Sequence, residues 1–342
     1  MKAIVYTDYG SPDVLKCVEI EKPAPGSNEV LIKVRAASIN PLDNGEMKGL
    51  PFLVRLIFGL HKPTAERPGR PGVDVAGQVE SIGRNVTRFK PGDEVFGVCI
   101  DNPQASGTSV WLHRHGAFAE YVCAPESTLA LKPANVTFEQ AASAPVAALT
   151  ALQGLRDKGR IQPERRVLVH GAGGGVGTFA VQIAKSFGAD VTGVSRTTSL
   201  EMVRSIGADR VIDYTKEDFT ASGLRYDVIF DCFANHPLSA CRRALTPNGI
   251  YVAVGGPGGI GVVVRLINML VMSCFVSQKL IPFLARPNQE DLTVLRDLMA
   301  TGRLRPVIDK HYTLDQVPQA IRHLIEGHTQ GKIIVTVEHN DS

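Results

Sequence analysis

A short β-branched stretch, 166–170 (RVLVH), passes directly into the glycine cluster 171–177 (GAGGGVG), and the apolar residues of 178–185 then recur at helical spacing. A strand, a tight glycine turn and a helix in this order indicate a dinucleotide-binding βαβ unit. Small residues let the backbone approach a pyrophosphate, and the N–H groups at the start of the helix hold the anion. We assign this contact to Gly173, Gly174, Gly175, Val176 and Gly177. The alternative is a glycine-rich surface turn.

The size and composition of the chain are those of an ordinary protein of about two domains. It has 342 residues, of which 44% are hydrophobic and 21% charged. A net charge of +3 without a Lys/Arg-rich run argues against a nucleic-acid partner. The six cysteines show no C-x-x-C spacing, which fits a reducing compartment. The apolar stretch at the N-terminus is too short for a signal peptide, because polar residues follow it early. We therefore expect a cytoplasmic protein.

The apolar segment 259–285 bears on whether the chain crosses a membrane. The uncharged stretch between Arg265 and Lys279 is shorter than the ~20 residues that a spanning helix needs. We therefore predict no transmembrane segment, but a helix and a strand that are buried or form an interface. Contact with a membrane surface is the alternative.

Short candidate strands separated by glycine and proline dominate the first third of the chain. The segment 29–37 alternates apolar and polar residues as a half-buried strand does. This pattern predicts a compact, barrel-like β domain. The last candidate strand, 332–337, resembles this opening more than the middle of the chain. We expect it to complete the N-terminal domain.

Helices and strands alternate from about residue 130 onward, beginning with an alanine-rich helix predicted over 138–156. Repeated β-α-β units with short turns predict a parallel, doubly wound sheet. The predicted fold class is therefore α/β. We place the nucleotide-binding domain at 129–303 and the β domain at 1–128 and 304–342.

Several motifs in a fixed order make the chain resemble a medium-chain dehydrogenase/reductase, and within that superfamily the zinc-free quinone oxidoreductase branch. The motifs are 37–43 (ASINPLD), 71–77 (PGVDVAG), 89–97 (FKPGDEVFG), 116–121 (GAFAEY), 149–151 (LTA), the glycine cluster and 331–335 (GKIIV). The resemblance implies a GroES-like β-barrel domain and a Rossmann domain with the active site in the cleft between them. It also implies a homodimer, since relatives often join the edges of their Rossmann sheets.

Zinc alcohol dehydrogenases bring a Cys, a His and a second Cys or an acidic residue to one metal ion. In the resembling family these ligands fall at three places, which this chain fills with 38–40 (SIN), 72–74 (GVD) and 145–147 (PVA). No Cys or His stands at any of them, and the four-cysteine structural lobe is missing. We predict no metal. Hydride delivery to an already activated acceptor is then favoured over alcohol oxidation.

The residues after the second strand of the nucleotide domain decide between NAD and NADP. NAD enzymes place a carboxylate there, ~20 residues past the fingerprint, to bind the ribose 2′-OH. This chain has Ser195 and Arg196 instead, and an arginine and small hydroxyls suit a 2′-phosphate. In the resembling branch a tyrosine after the third strand reaches the same phosphate, and Tyr214 matches it. We predict NADP(H); the alternative for Arg196 is a solvated surface arginine.

Further cofactor contacts follow from the resemblance and lie after predicted strands or on the helix that faces the cleft. They are Thr150, Cys232, Phe233, Gly255, Gly256 and Lys332. For Lys332 the alternative is a solvated lysine that precedes a strand.

Asn40 and Asp43 match the Asn-x-x-Asp pattern of the quinone oxidoreductase branch and are the predicted catalytic residues. Asn40 is suited to bind a substrate carbonyl and stabilise an enolate, and Asp43 to position Asn40 or a water. The alternative is that both residues cap a turn. A tyrosine that relatives carry just after this motif is absent, which leaves the proton donor open. The apolar insert 49–60 suits a lipophilic substrate, with a core helix or a dimer contact as alternatives.

The expected activity is NADPH-dependent, zinc-independent hydride transfer to a quinone or an α,β-unsaturated carbonyl. Two other functions stay open. One is an oxidoreductase that acts on simple alcohols or aldehydes. The other is an NADPH-binding protein without catalysis.

Overall fold

The structure is a computed structural model that describes residues 1–49, 62–100, 116–255, 260–273, 275–327 and 329–339. The chain forms two compact units, the first from 1–146, 287–301 and 308–342 and the second from 147–286 and 302–307. These bounds differ from the predicted ones at 129–146 and 287–301, which pack with the first unit, and at 304–307, which pack with the second. The predicted division by function, at 129 and 303, stays a prediction.

The strands and helices of the described residues follow in chain order. Up to residue 143 they are β1 (Lys2–Val5), β2 (Lys16–Glu19), β3 (Glu29–Ser38), α1 (Pro41–Lys48), β4 (Asp74–Ile82), β5 (Glu94–Val98), β6 (Tyr121–Pro125), β7 (Leu129–Leu131) and α2 (Phe138–Ser143). From 145 to 273 they are α3 (Pro145–Gln153), β8 (Arg166–His170), α4 (Gly175–Ser186), β9 (Asp190–Ser195), α5 (Leu200–Ser205), β10 (Arg210–Asp213), β11 (Tyr226–Asp231), α6 (Leu238–Arg243), β12 (Leu245–Ala253) and α7 (Ile260–Ser273). The last are β13 (Lys279–Pro282), α8 (Gln289–Ala300), β14 (Ile308–Thr313), α9 (Val317–Ile325) and β15 (Lys332–Thr336).

A seven-stranded sheet with the order β14-β15-β3-β4-β5-β7, in which β6 also pairs with β3, forms the centre of the first unit. The long strand β3 places Val30, Ile32 and Val34 in the buried core of this unit. Strand β15 runs antiparallel to β3, with Ile334 opposite Ser38. The prediction that the last strand completes the N-terminal domain is therefore confirmed.

The second unit contains a six-stranded parallel sheet with the order β10-β9-β8-β11-β12-β13. The chain builds outward from β8 to β10 and then returns to β11 on the other side of β8. This is the doubly wound sheet that the β-α-β pattern predicts. Its topological switch point lies between β8 and β11, where such sheets bind ligands at the carboxyl ends of their strands.

The prediction that 138–156 is helical is confirmed, but the segment is divided into separate helices. Helix α2 ends at Ser143 and α3 begins at Pro145, and a π-helical turn, Gly154–Lys158, follows α3. The proline lacks the N–H that would continue α2 and its ring clashes with the preceding turn, whereas the first turn of a new helix tolerates it.

The apolar segment 259–285 forms helix α7 and strand β13, as the sequence predicts. The outer face of α7 is exposed in the single chain and includes the apolar residues Val264, Leu266, Ile267, Leu270 and Val271 together with Asn268. No helix in the described part of the chain is both long and apolar enough to span a bilayer. From residue 50 onward, the apolar insert 49–60 lies outside the described residues.

Candidate active site and cofactor site

The glycine cluster forms the turn between β8 and α4. A Cβ on Gly177 would lie 2.0 Å from the Gly171 carbonyl oxygen, and one on Gly173 would lie 2.5 Å from Ser195 Oγ. A Cβ on Gly174, the residue before α4, would make one ordinary contact, 3.5 Å from the Gly171 carbonyl oxygen. No acidic residue stands in the first turn of α4. The turn therefore presents bare backbone and the positive end of a helix, which fits an anionic pyrophosphate.

The three residues predicted to bind a 2′-phosphate come together at the carboxyl ends of β9 and β10. Ser195 ends β9, and its carbonyl oxygen accepts a hydrogen bond of 3.1 Å from the backbone N–H of Tyr214. The Tyr214 ring is half exposed. Arg196 follows Ser195 directly and is partly exposed. The strand pairing thus brings the buried Ser195, the partly exposed Arg196 and the exposed Tyr214 together at the ends of these two strands.

Asp213 is the acidic residue nearest to this region, and its carboxylate is hydrogen-bonded to neighbouring threonines. Its carboxylate accepts hydrogen bonds from Thr197 Oγ1 at 2.5 Å and Thr215 Oγ1 at 2.7 Å. The Thr197 hydroxyl, assisted by Thr215, lowers the pKa of Asp213 to about 2 against the opposing effect of burial. Asp213, the last residue of β10, therefore shapes the loop beside Arg196.

A second buried network lies at the switch point, and sequence reasoning did not single it out. Asp231 at the end of β11 is fully buried and accepts hydrogen bonds from His170 Nδ1 (2.8 Å) and Tyr251 Oη (2.7 Å). The backbone N–H groups of Phe233 (3.0 Å) and Ala234 (2.7 Å) donate to the same carboxylate. The available signal was a polar residue at the end of each of two buried strands, His170 in β8 and Asp231 in β11.

Four donors make Asp231 an unusually stable carboxylate for a buried position. Burial raises its pKa, but the hydrogen bond and charge of His170, with the donors at Ala234 and Tyr251, outweigh burial and lower the pKa to about 2. Ala234 adopts a left-handed conformation with φ +52°, which costs free energy outside glycine. The carboxylate therefore holds the loop after β11 in a strained shape.

The predicted cofactor residues Cys232 and Phe233 lie on this loop, where the Phe233 side chain is 56% exposed. A Cβ on Gly255 would lie only 1.9 Å from the Cys232 carbonyl oxygen, so the chain after β12 passes directly against the loop. Thr150 lies on α3 and is almost buried. Gly256 lies outside the described residues.

Asp43 in the first unit caps two backbone segments. One of its oxygens accepts from the Asn40 N–H at 2.7 Å and the other from the Gly72 N–H at 3.0 Å. Asp43 is fully buried, and α1 starts with Pro41 directly after Asn40. The capping role that the sequence left as an alternative is thus present in the structure, and it fixes the backbone of Asn40.

The Asn40 side chain lies between a buried cation and a buried anion. Its Oδ1 accepts from Lys332 Nζ at 2.7 Å, and its Nδ2 donates to Asp74 Oδ2 at 2.9 Å. Ser38 Oγ and the Val146 N–H also donate to Asp74, at 2.7 and 2.9 Å. Lys332 is only 3% exposed, so the alternative of a solvated lysine is wrong. Burial lowers the pKa of Lys332, while the charges of Asp74 and Asp43 oppose this shift.

The three places where the resembling family carries zinc ligands meet at this network, since Asp74 binds Ser38, Asn40 and the backbone of Val146. The side chains there do not fit zinc. They offer one carboxylate, an amide and a hydroxyl instead of Cys and His, and the Lys332 ammonium lies 3.5 Å from the carboxylate. Across the described ranges, no group of three or more His, Cys, Asp or Glu residues is placed to hold a metal ion.

Two sequence models of known families match the chain. The model described as "Alcohol dehydrogenase GroES-like domain" matches residues 26–134, and that described as "Zinc-binding dehydrogenase" matches residues 206–335. The chain is also 34% identical to the chloroplast envelope quinone oxidoreductase homolog of Arabidopsis thaliana over 98% of both chains. The chain belongs to the medium-chain dehydrogenase/reductase superfamily. Within this superfamily it falls in the quinone oxidoreductase-like branch.

Other members of the medium-chain dehydrogenase/reductase superfamily agree with this placement. The NADPH-dependent alkenal/one oxidoreductase of Arabidopsis thaliana is 34% identical over 98% of this chain and 79% of its own length. The solved quinone oxidoreductase of Coxiella burnetii is 30% identical and covers 99% of both chains with a TM-score of 0.83. The predicted GroES-like and Rossmann fold is therefore confirmed.

Proposed function

We propose that this protein is an NADPH-dependent oxidoreductase that reduces quinones or α,β-unsaturated carbonyl compounds without a metal ion. The observation that carries the proposal is that the buried Lys332 ammonium lies among the residues at the positions where the family carries its zinc ligands. A fixed internal cation and a single carboxylate leave no ligand set for a Lewis acid. The names of the two Arabidopsis relatives, a quinone oxidoreductase homolog and an alkenal/one oxidoreductase, support this substrate class.

The second unit supplies the cofactor site. Bound NADPH supplies the hydride. The backbone of Gly173, Gly174, Gly175, Val176 and Gly177 holds the pyrophosphate at the start of α4, and Ser195, Arg196 and Tyr214 bind the 2′-phosphate. Thr150, Cys232, Phe233, Gly255 and Gly256 complete the contacts in this proposal.

The first unit supplies the hydrogen-bond donor for the substrate oxygen. One Asn40 side-chain N–H is bound to Asp74, and the other has only a long contact of 3.4 Å with the Ser38 carbonyl oxygen. A contact of that length is a weak hydrogen bond, so this N–H is available for a carbonyl or quinone oxygen. A fixed donor at the oxygen that becomes negative lowers the barrier to hydride transfer. Asp43 positions Asn40 through its backbone, and solvent delivers the proton.

The experiment is an acceptor panel followed by nicotinamide absorbance. We expect NADPH oxidation with quinones and enones, slower oxidation with NADH, and little reaction with saturated aldehydes. In the reverse direction, NADP⁺ with simple alcohols should give no signal. The absence of turnover with every quinone and enone would reject the proposed activity and favour a binding protein without catalysis.

The proposal also includes a homodimer and a cytoplasmic location. Strand β13 is one edge of the parallel sheet, and helix α7, which has an exposed apolar face, packs beside it. An unpaired edge strand next to an exposed apolar face suits pairing with a second copy of the chain. The five cysteines that the structure describes are free thiols, which fits a reducing compartment.

A further inference from the structure

We propose that Lys332 is the positioning residue of the reaction: its buried ammonium fixes the orientation of the Asn40 amide and polarises it toward the substrate oxygen. The inference rests on the proposed function, because it assigns a task to Lys332 in the step that Asn40 carries. It replaces the earlier expectation that Lys332 binds the cofactor directly.

The charges around Asn40 permit only one orientation of its amide. Lys332 Nζ has donors only, and Asp74 accepts hydrogen bonds through its carboxylate. With Oδ1 toward Lys332 (2.7 Å) and Nδ2 toward Asp74 (2.9 Å), both contacts are attractive. Turning the amide over would place its NH₂ group against the ammonium and its oxygen against the carboxylate. This orientation leaves the second Nδ2 N–H, which has a contact of 3.4 Å with the Ser38 carbonyl oxygen, as the group that we assign to the substrate oxygen.

The same contact makes Asn40 a stronger donor. A full positive charge at Oδ1 draws electron density from the amide nitrogen, and hydrogen bonds in series strengthen one another in a low-dielectric interior. Lys332 is 3% exposed and Asp74 is fully buried, so bulk water does not screen this interaction. A substrate oxygen that gains negative charge is then stabilised by a donor that is linked to a cation.

Lys332 acts through Asn40 and does not reach the substrate itself. Its ammonium donates to Asn40 Oδ1 and to the Ile39 carbonyl oxygen at 3.2 Å, and its third neighbour is Asp74 at 3.5 Å. The two shorter hydrogen bonds hold the ammonium against Asn40 and the Ile39 carbonyl oxygen, and its contact with Asp74 is long and weak. The Ile39 N–H donates in turn to the Ile333 carbonyl oxygen, which ties β15 to the backbone beside Asn40.

The test is the single-turnover rate of NADPH oxidation in Lys332→Met, which keeps the length of the side chain and removes its charge. We expect the rate to fall about tenfold or more, with the dissociation constant for NADPH unchanged, because Asn40 without the adjacent positive charge stabilises the developing negative charge less in the chemical step. The matched control is Lys132→Met. Lys132 is a buried lysine of the same unit that donates to the carbonyl oxygens of Pro133 and Val136 and pairs with Glu94. This control should keep the wild-type rate.

A double-mutant cycle separates positioning from a structural role. In an Asn40→Ala background, Lys332→Met should cost little further rate, since its effect passes through the missing amide. An equal loss in both backgrounds, or an unchanged rate in the single variant, would overturn the inference while wild-type turnover stands. If wild-type protein shows no turnover, the proposed function itself fails.

Because Lys332→Met leaves Asp74 without its buried cation, Lys332→Gln is the second variant. Its amide still offers an N–H group to Asn40 but carries no charge. Thermal melts verify that each variant is folded. We expect Lys332→Gln to lie between wild type and Lys332→Met in single-turnover rate. A wild-type rate in folded Lys332→Gln would contradict the polarising role.

Discussion

At the scale of single residues, fully buried carboxylates in both units have partners that set the shape of a neighbouring segment. Asp74 holds Ser38, Asn40 and the Val146 backbone, and Asp231 holds His170 and the loop after β11. Buried charges are stable only when they are paired and hydrogen-bonded. The proposed donor and the proposed cofactor loop therefore depend on residues that do not themselves touch a ligand.

Arg196→Ala tests the choice of cofactor. A charge-assisted hydrogen bond is worth about 1.5–3 kcal/mol, so we expect the preference for NADPH over NADH to fall about 10- to 100-fold. Affinity for NADH should stay near its wild-type value. Fluorescence titration with both cofactors measures this. The control is Arg204→Ala, which removes the same charge from the exposed end of α5. Equal weakening of both cofactors would contradict the assignment of Arg196.

Asp231→Asn tests the network at the switch point through acid denaturation. The pKa of Asp231 is lowered from 3.8 to about 2 in the folded protein, so its stabilisation is complete above about pH 4 and is lost as the pH falls toward 2. A shift of this size corresponds to about 2 kcal/mol of unfolding free energy at neutral pH. Denaturant titrations of Asp231→Asn should show a free energy of unfolding that is lower than in wild type by about this amount at neutral pH. The stability of the variant should also decline less in acid than that of wild type.

The control for this experiment is Asp297→Asn on α8, where the carboxylate pairs with Arg296 on the surface. We expect its stability to stay within about 0.5 kcal/mol of wild type. An Asp231→Asn protein as stable as the Asp297→Asn control at neutral pH would refute the account of the network.

At the scale of elements, the glycine turn between β8 and α4 combines two requirements in adjacent residues. Gly177 and Gly173 are needed because the turn packs tightly against itself and against Ser195. At Gly174 the protein itself leaves room for a methyl group, so only a bound ligand would require that the residue lack a side chain. Packing and binding therefore select glycine for different reasons within one motif.

This difference predicts opposite results for two alanine substitutions. Gly177→Ala places a methyl group against the Gly171 carbonyl and should cost roughly 1–3 kcal/mol of unfolding free energy. Gly174→Ala should change stability by about 1 kcal/mol or less but weaken NADPH binding at least about tenfold. Chemical denaturation and cofactor titration on both proteins distinguish the effects. Unimpaired NADPH binding in Gly174→Ala would contradict the pyrophosphate site.

Helix α7 presents its apolar residues to the outside of the single chain. We expect Leu270→Lys, at a position that is 64% exposed, to convert a dimer into a monomer without loss of folding. Sedimentation equilibrium measures the mass. The control is Ile325→Lys on α9 of the first unit, another exposed apolar residue, which should leave the mass unchanged. A wild-type monomer, or a dimer that survives Leu270→Lys, would refute this interface.

At the scale of the whole molecule, local sequence patterns predicted strands, helices and turns but not the partners of the buried charged residues. The sequence placed the glycine turn between a strand and a helix, because hydrophobic periodicity and turn chemistry act over a few residues. Lys332 and Asn40 are 292 positions apart, and His170 and Asp231 are 61 apart. Only the strand pairings bring the two residues of each pair together. No local pattern therefore shows that Lys332 is buried or that Asp231 accepts four hydrogen bonds.

The central claim is hydride transfer from NADPH without a metal, and turnover by metal-stripped protein tests it most directly. After exhaustive dialysis against chelator, with metal content checked by mass spectrometry, NADPH oxidation is followed with the best quinone or enone of the panel. We predict the same kcat as for untreated protein, and no change on adding Zn²⁺. Activity that disappears with the metal and returns with Zn²⁺ would contradict the account.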